Sequence, residues 1–386
     1  MKKDGIGSET QAVDNERRHL LTAAGAGALA ATFGGVLTGI SGFAEAGPGP
    51  TLRWGFVGTG RIAGQMAPMV GQAAKAELVA VSSRKMETAN AFADQHDIGQ
   101  TFDSWADMFA WEGVDAIYVA TPTSVREEIC VAAANKGKHV LGEKPFANLP
   151  SLRRITAACR DNGVGFMDGT HFVHHPRTAH IKSNMQESVG WPWSLDSAFQ
   201  FGLSDSSNIR LNPQLEPYGA IGDTGWYNMR AAVEYLSPDV QIVSADAYLR
   251  REKTNNAVVS GSGVLYFNDG STTTWNCGFE SGSGIMDLRI SGAAGVIKLD
   301  DFLTQNRDDN SASFELLRGW GNSRQVNIPS ANPGAALMFE DFAAMTTDHE
   351  WFEASVRASE RTQEWLDAVW NSATGNEARI AGNQKT

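Results

Sequence analysis

Apolar positions in the first half of the chain gather into short runs that alternate with helical stretches. Leu52–Val57 reads as a β-strand, and Glu77–Ser82, Val114–Thr121, His139–Gly142 and Val164–Met167 read as further strands. Between them, Glu127–Lys136 carries Ala and Val on one face and closes on Gly137, and Ser151–Asp161 keeps a helical period. Repeated β-α units imply a parallel, doubly wound sheet, with ligands beyond the carboxyl ends of its strands. The second half reads as antiparallel. Val264–Asn268 and Ser271–Phe279 flank the turn Asp269-Gly270, and Met286–Ser291 and Val296–Leu299 flank Gly292–Gly295. Residues 304–335 are polar and rich in Gly, Asn and Ser, which predicts a loop. Glu350–Ala373 is a long helical stretch with Trp351, Val356, Trp365, Val369 and Trp370 on its apolar side, and a polar, frayed tail is expected over 375–386.

The first forty-six residues read as an address. Arg17-Arg18 precedes an uncharged run from Leu20 to Phe43 built from Ala, Gly and Thr, and Ala44-Glu45-Ala46 supplies the small-x-small pattern of a signal-peptidase site. The paired Arg with following apolar residues resembles a twin-arginine export signal. A periplasmic or extracellular location follows, with the mature protein starting near Gly47 and no stable insertion of the mature chain in a membrane. An uncleaved membrane anchor is the alternative, disfavoured because Gly-rich segments insert poorly.

The remaining 340 or so residues suit two domains. The net charge of −12, with no Lys/Arg block, argues against nucleic acid as a partner. Three scattered cysteines, Cys130, Cys159 and Cys277, with no CxxC, make neither a disulfide framework nor a metal site. They read as buried small apolar residues.

Chemistry enters at the turn after the first strand. Gly58-Thr59-Gly60-Arg61-Ile62-Ala63 is G-x-G-x-x-A at a strand-to-helix junction. The first Gly allows the tight turn, the second admits a pyrophosphate to the backbone, and Ala63 lets the helix pack closely. The phosphates then meet the N–H groups and positive dipole end of that helix. The second strand ends in Ser82-Ser83-Arg84-Lys85, without the carboxylate that would hold a ribose 2′-OH, so Ser83 and Arg84 favour NADP, with NAD the alternative. Thr121-Pro122-Thr123 and Glu143-Lys144-Pro145 stand at later strand ends, facing the cleft. Gly219–Tyr227 leads into a helix through Leu236, with Asp223 and Tyr227 spaced i, i+4 on one face. Taken singly, Asp223 also suits a helix N-cap and Tyr227 a core aromatic.

In that order, Gly58-Thr59-Gly60, Thr121-Pro122, Glu143-Lys144-Pro145 and Gly222-Asp223-Thr224-Gly225-Trp226-Tyr227 resemble the glucose-fructose oxidoreductase / inositol dehydrogenase family, in its Asp-x-Gly-x-Tyr branch. Arg126 stands where the family pattern has His. The resemblance implies an α/β fold: an N-terminal Rossmann domain, then an α/β domain with an open, mainly antiparallel sheet whose outer face often makes homo-oligomers. Residues 47–170 then form the dinucleotide domain and 171–374 the substrate and oligomerisation domain. The resemblance also implies Lys144, Asp223 and Tyr227 as the catalytic set. Cofactor contacts fall to Gly58, Thr59, Gly60, Arg61, Ile62, Ser83, Arg84, Thr121, Pro122, Glu143 and Lys144. Substrate contacts fall to Lys144, His171, His174, Asp223 and Tyr227. His171, His174 and His175 lack further ligands at metal spacing, so no metal is expected.

Hydride transfer onto a carbonyl creates an alkoxide, which needs a proton donor. The resemblance implies Tyr227 as that donor, and a nearby Lys144 ammonium is expected to lower its pKa from about 10. The function expected is an exported NAD(P)-dependent oxidoreductase acting on CH–OH groups of a sugar, polyol or diol, with its cofactor retained. The alternatives are an NAD-dependent glycosidase on the same fold and a non-catalytic sugar- or partner-binding protein.

Overall fold

The computed structural model describes residues 49–303 and 309–383. The export signal and cleavage site expected over 1–46 lie outside the described residues. The described residues belong to one compact unit.

The first sheet contains β1 (Leu52–Val57), β2 (Ala76–Ser82), β3 (Gln100–Phe102), β4 (Ala116–Val119), β5 (His139–Gly142) and β6 (Phe166–Asp168), in the order 3-2-1-4-5-6 and parallel throughout. The connecting helices are α1 (Arg61–Gln72), α2 (Met86–His96), α3 (Trp105–Ala110), α4 (Thr123–Asn135) and α5 (Leu149–Asp161). The strand order reverses between β1 and β4, so the carboxyl ends of these two strands open the ligand crevice. Both carry nearly continuous apolar runs, because a parallel sheet is covered on both faces.

Short helices α6 (Pro176–Ser183) and α7 (Met185–Ser188) lead to the second sheet. Among the described residues it has eight strands: β7 (Pro192–Gly202), β8 (Ile242–Arg251), β9 (Val258–Phe267), β10 (Thr272–Gly278), β11 (Glu280–Gly292), β12 (Val296–Leu299), β13 (Ala312–Arg318) and β14 (Asn322–Ile328). Their order is 14-13-12-11-7-10-9-8, and every neighbouring pair is antiparallel except β7 with β10. Helix α8 (Trp226–Tyr235) lies between β7 and β8 in sequence, while α9 (Gly334–Met345) and α10 (His349–Asn383) end the described chain.

Three expectations are corrected. Residues 304–335 are not all loop, since β13 and β14 form a hairpin there and α9 begins at Gly334. Ala312, Phe314 and Leu316 alternate inward, but β14 is an exposed, polar edge strand with almost no apolar signature. The tail does not fray at 375, because α10 runs on to Asn383. Asn376 donates to Asp246 Oδ1 and to the Ala247 carbonyl, both at 2.9 Å, and Glu377 pairs with Arg251 at 2.8 Å, so β8 holds a turn whose composition alone would be labile. β9 begins at Val258, not Val264. Its Ser-Gly-Ser-Gly segment lacks apolar residues because it is close-packed: a Cβ on Gly261 would come within 2.9 Å of Ile221.

Helix α10 joins the sheets, and α9 covers the first. Phe339 and Phe342 of α9 pack on Trp54 of β1 with ring centroids 4.9 and 5.0 Å apart. Helix α10 buries Val356, Trp365, Leu366 and Val369, and reaches both β8 and the segment after Lys144-Pro145. Cys130, Cys159 and Cys277 are buried thiols.

Candidate active site

Gly58 ends β1 with φ +106°, and a Cβ there would come within 2.7 Å of the Ala120 carbonyl oxygen, so only Gly fits. Two residues on, a Cβ at Gly60 would meet nothing within 4 Å. Gly60 opens α1, with exposed Arg61 and half-buried Ile62 as its first residues and no side chain capping the helix. The leading N–H groups are therefore available to an anion. Beside them, the Ser83 hydroxyl lies 3.4 Å from Thr59 Oγ1 and 2.7 Å from Thr88 Oγ1, and Arg84 stands exposed. Across the crevice, the Thr121 hydroxyl is buried without a partner, just before Pro122. A backbone cradle, an uncapped helix end, an orphaned hydroxyl and an exposed cation fit a dinucleotide with its pyrophosphate at α1.

The candidate reactive groups assemble where β5 ends. Lys144 is buried and donates from Nζ to Asp223 Oδ1 and to the Asp223 carbonyl, both at 2.8 Å. Asp223 lies in a π-helical turn, Ile221–Gly225, that runs directly into α8. It does not cap the helix. Its Oδ2 accepts from Arg210 Nε at 2.6 Å, and Arg210 Nη2 approaches Oδ1 at 3.4 Å. Burial alone would raise the Asp223 carboxyl, but Lys144 and Arg210 outweigh it and hold it well below the usual carboxylate range. One turn on, Tyr227 lies beneath Lys144, with Nζ 4.5 Å from the ring centroid. Among the described residues the Tyr227 hydroxyl has no hydrogen-bond partner.

The expectation that Lys144 lowers the Tyr227 pKa is corrected. Burial, with the nearby Glu143 and Asp223 carboxyls, pushes the phenol well above its ordinary value. The ammonium sits on the ring face, and its hydrogen bonds go to Asp223. Tyr227 therefore keeps its proton at neutral pH.

The other expected residues divide. His171 approaches Tyr227, with ring centroids 5.8 Å apart, and burial with the neighbouring Lys144 pushes its pKa down to about 4, so it is neutral. His174 turns to α9, where Nδ1 lies 2.7 Å from Asp341 Oδ2, and His175 accepts the Arg177 N–H at 3.0 Å. Glu143 points inward, accepting the Tyr118 hydroxyl and the Lys144 N–H. Arg126 is buried and donates to the Thr121 and Pro145 carbonyls, joining the ends of β4 and β5.

Sequence reasoning missed Arg210, Glu216 and Tyr118. Arg210 and Glu216 sit in a polar stretch without periodicity, and Tyr118 is hidden in an apolar strand, so no local signal marked them. The crossing of the two halves brings Arg210 and Glu216 to the site, and the pairing of β4 with β5 brings Tyr118 to Glu143.

The chain matches the description "Oxidoreductase family, NAD-binding Rossmann fold" over residues 52–170. It is 34% identical over 346 residues to 1,5-anhydro-D-fructose reductase of Ensifer adhaerens, covering 84% of this chain and 94% of that protein. It is 31% identical over 306 residues to the NADP(+) scyllo-inositol 2-dehydrogenase of Bacillus subtilis, covering 78% and 89%. The crystal structure of a 3-ketoreductase from Actinomadura kijaniata, in complex with NADP and TDP-benzene, superposes with TM-score 0.76 at 26% identity, covering 84% of this chain and 98% of that one. The Rossmann crevice and the likenesses are those of an oxidoreductase family. With these likenesses, the chain belongs to the glucose-fructose oxidoreductase / inositol dehydrogenase family.

Proposed function

We propose that this protein is an NADP-dependent sugar oxidoreductase that interconverts a ring or chain carbonyl and the corresponding alcohol, and that it works outside the cytoplasm. The unpartnered, protonated Tyr227 hydroxyl beside the Lys144–Asp223 pair carries the reading. When bound, the dinucleotide supplies or accepts the hydride. The α1 N-terminus would hold its pyrophosphate, and Ser83 and Arg84 its 2′-phosphate. Lys144 and Tyr227 would hold the substrate oxygen by hydrogen bonds, with Tyr227 delivering the proton as negative charge grows there. Asp223 fixes Lys144, and its charged state suits a hydrogen bond from a neighbouring sugar hydroxyl.

The relatives named for 1,5-anhydro-D-fructose and scyllo-inositol suggest the first probes. NADPH oxidation with keto-sugars, or NADP reduction with polyols, should appear with at least one member of such a panel. Glycoside hydrolysis with tightly held NAD and no net redox would replace this reading, and so would ligand binding without turnover. Export rests on Arg17-Arg18 and Ala44-Glu45-Ala46. Replacing both arginines by lysine should trap the precursor in the cytoplasm, and full-length protein in the membrane fraction would sink that part. Among the described residues no helix is long and apolar enough to cross a membrane. Tyr248 and Tyr266 stand exposed on the second sheet, which supports homo-oligomerisation through that face, checked by light scattering.

A further inference from the structure

The loop between β7 and α8 reaches both halves of the site. On one side, Glu216 accepts the Thr123 N–H at 3.1 Å and the Thr123 hydroxyl at 2.6 Å, and the Leu215 carbonyl accepts the Ser124 N–H at 3.2 Å. This seats the loop on the amino end of α4, next to the cofactor turn Thr121-Pro122. On the other side, the 3₁₀ turn Ile209–Leu211 presents Arg210, whose guanidinium takes Asp223 in a two-point grip. Asn208 caps that turn from within at 3.2 Å, and Asn255 braces it by donating to the Leu211 carbonyl at 2.8 Å. Arg210 is therefore built into place, although its side chain is about a quarter exposed.

We propose that Arg210 is a positioning residue for the reaction: by sharing Asp223 with Lys144, it fixes the carboxylate and prevents Lys144 from being neutralised by a private ion pair. The inference rests on the proposed oxidoreductase reading of this site. Two cations on one carboxylate leave one positive charge in excess beside the substrate oxygen. A fixed positive charge in a water-poor site stabilises the negative charge that develops as the carbonyl is reduced. Without Arg210, Asp223 swings fully onto Lys144, and the ammonium faces the substrate with its charge cancelled.

The groups facing Asp223 from every side make the pH dependence readable. They are Lys144 from the end of β5, Arg210 from the loop, Tyr227 from α8 and Cys277 from β10, whose buried thiol is pushed up to about 12 and stays neutral. His171, beyond Lys144, is neutral above about pH 4. Removing Arg210 deletes one of the two charges that keep Asp223 ionised, so its titration rises toward the working range.

The test compares wild type with R210Q and R210K. For R210Q, kcat should fall about 10²-fold, the loss typical of a misplaced reacting group. The NADPH Kd, read by fluorescence, should stay within about threefold. The acid limb of kcat/KM should move up by about one pH unit or more. R210K should recover about tenfold of the loss, because an ammonium restores the charge but not the fork. Carbon-13 NMR of aspartate carboxyls, without substrate, should show a resonance that titrates higher in R210Q and nearly normally in R210K. That arm stands even if wild type turns over no sugar, in which case only the functional reading fails. Unchanged kcat and pH profile in R210Q, or equal losses in both variants with the carboxyl resonance unmoved, would overturn the role of Arg210.

Discussion

Tyr227 and Lys144 carry the sharpest expectations at the scale of single residues. Tyr227→Phe removes one hydroxyl that makes no hydrogen bond among the described residues, so the fold should tolerate it while the reaction loses its proton donor. Turnover should drop about 10²–10⁴-fold with the melting temperature nearly unchanged. Lys144→Ala should lose at least as much and also leave Asp223 short of a partner. Near-normal kcat in Tyr227→Phe would remove the phenol from the mechanism. His171 offers a test in stability. Its pKa falls from 6.5 to about 4 on folding, because burial and Lys144 disfavour the charged ring. Between those values the unfolded chain binds the proton and the folded chain does not. Stability is thus full above about pH 6.5 and declines as the pH falls toward 4, by roughly 3 kcal/mol in all. Denaturant midpoints across this range should show that slope, and His171→Gln should flatten it.

At the scale of elements, α10 aligns the two segments that bear the reactive groups. Asp367 accepts the Leu149 N–H at 2.7 Å, just past Lys144-Pro145, and the Tyr218 hydroxyl at 2.6 Å, just before the Asp223 turn. Gln363 accepts the Phe146 N–H at 3.0 Å. One helix face thus sets the spacing of Lys144 from Asp223. Asp367→Ala should cost about 1.5–3 kcal/mol for each hydrogen bond lost to the charged group, read as a lower urea midpoint at constant slope. It should also lower kcat, although Asp367 is remote from the chemistry. Helix α8 is tied in the same manner: Trp226 Nε1 donates to the Thr170 hydroxyl at 2.7 Å, and Arg230 pairs with buried Asp168 at 2.6 Å. These anchors connect the end of β6 to the helix bearing Tyr227.

The whole molecule should respond to its cofactor as one unit, because the proposed crevice lies at strand ends that α10 couples to the second sheet. NADPH at about 100 times its Kd should add about 2.7 kcal/mol of stability, seen as a rise in melting temperature. Arg84→Ala should weaken NADP much more than NAD, since a charge-assisted hydrogen bond to the 2′-phosphate is worth about 1.5–3 kcal/mol, or roughly ten- to a hundredfold in affinity. A clear preference of the unaltered protein for NAD would reject that role. Denaturing freshly purified protein and assaying the supernatant tests whether the dinucleotide stays bound.

Much of this was legible in the order of residues. The strands Leu52–Val57 and His139–Gly142 agree with the structure to the residue, because apolar runs between turn residues are a local signal. Gly58 and Gly60 declared the phosphate turn: the backbone at Gly58 admits only glycine, and Gly60 leaves the helix end open to a ligand. Lys144, Asp223 and Tyr227 stood out as pieces of an ordered motif. The exposed strand β14 and the helix α9 went unseen, since one lacks an apolar pattern and the other follows a polar stretch. Protonation and partnership also lay beyond the chain order. That Tyr227 keeps its proton, that Asp223 is shared between Lys144 and Arg210, and that His174 belongs to Asp341 are outcomes of burial and of contacts between residues far apart in sequence. Local spacing determines which elements form and which groups they carry. Desolvation and the opposing charges that meet at the crevice exist only once both sheets have folded together, so the tertiary structure alone decided which groups are charged and which are free to react.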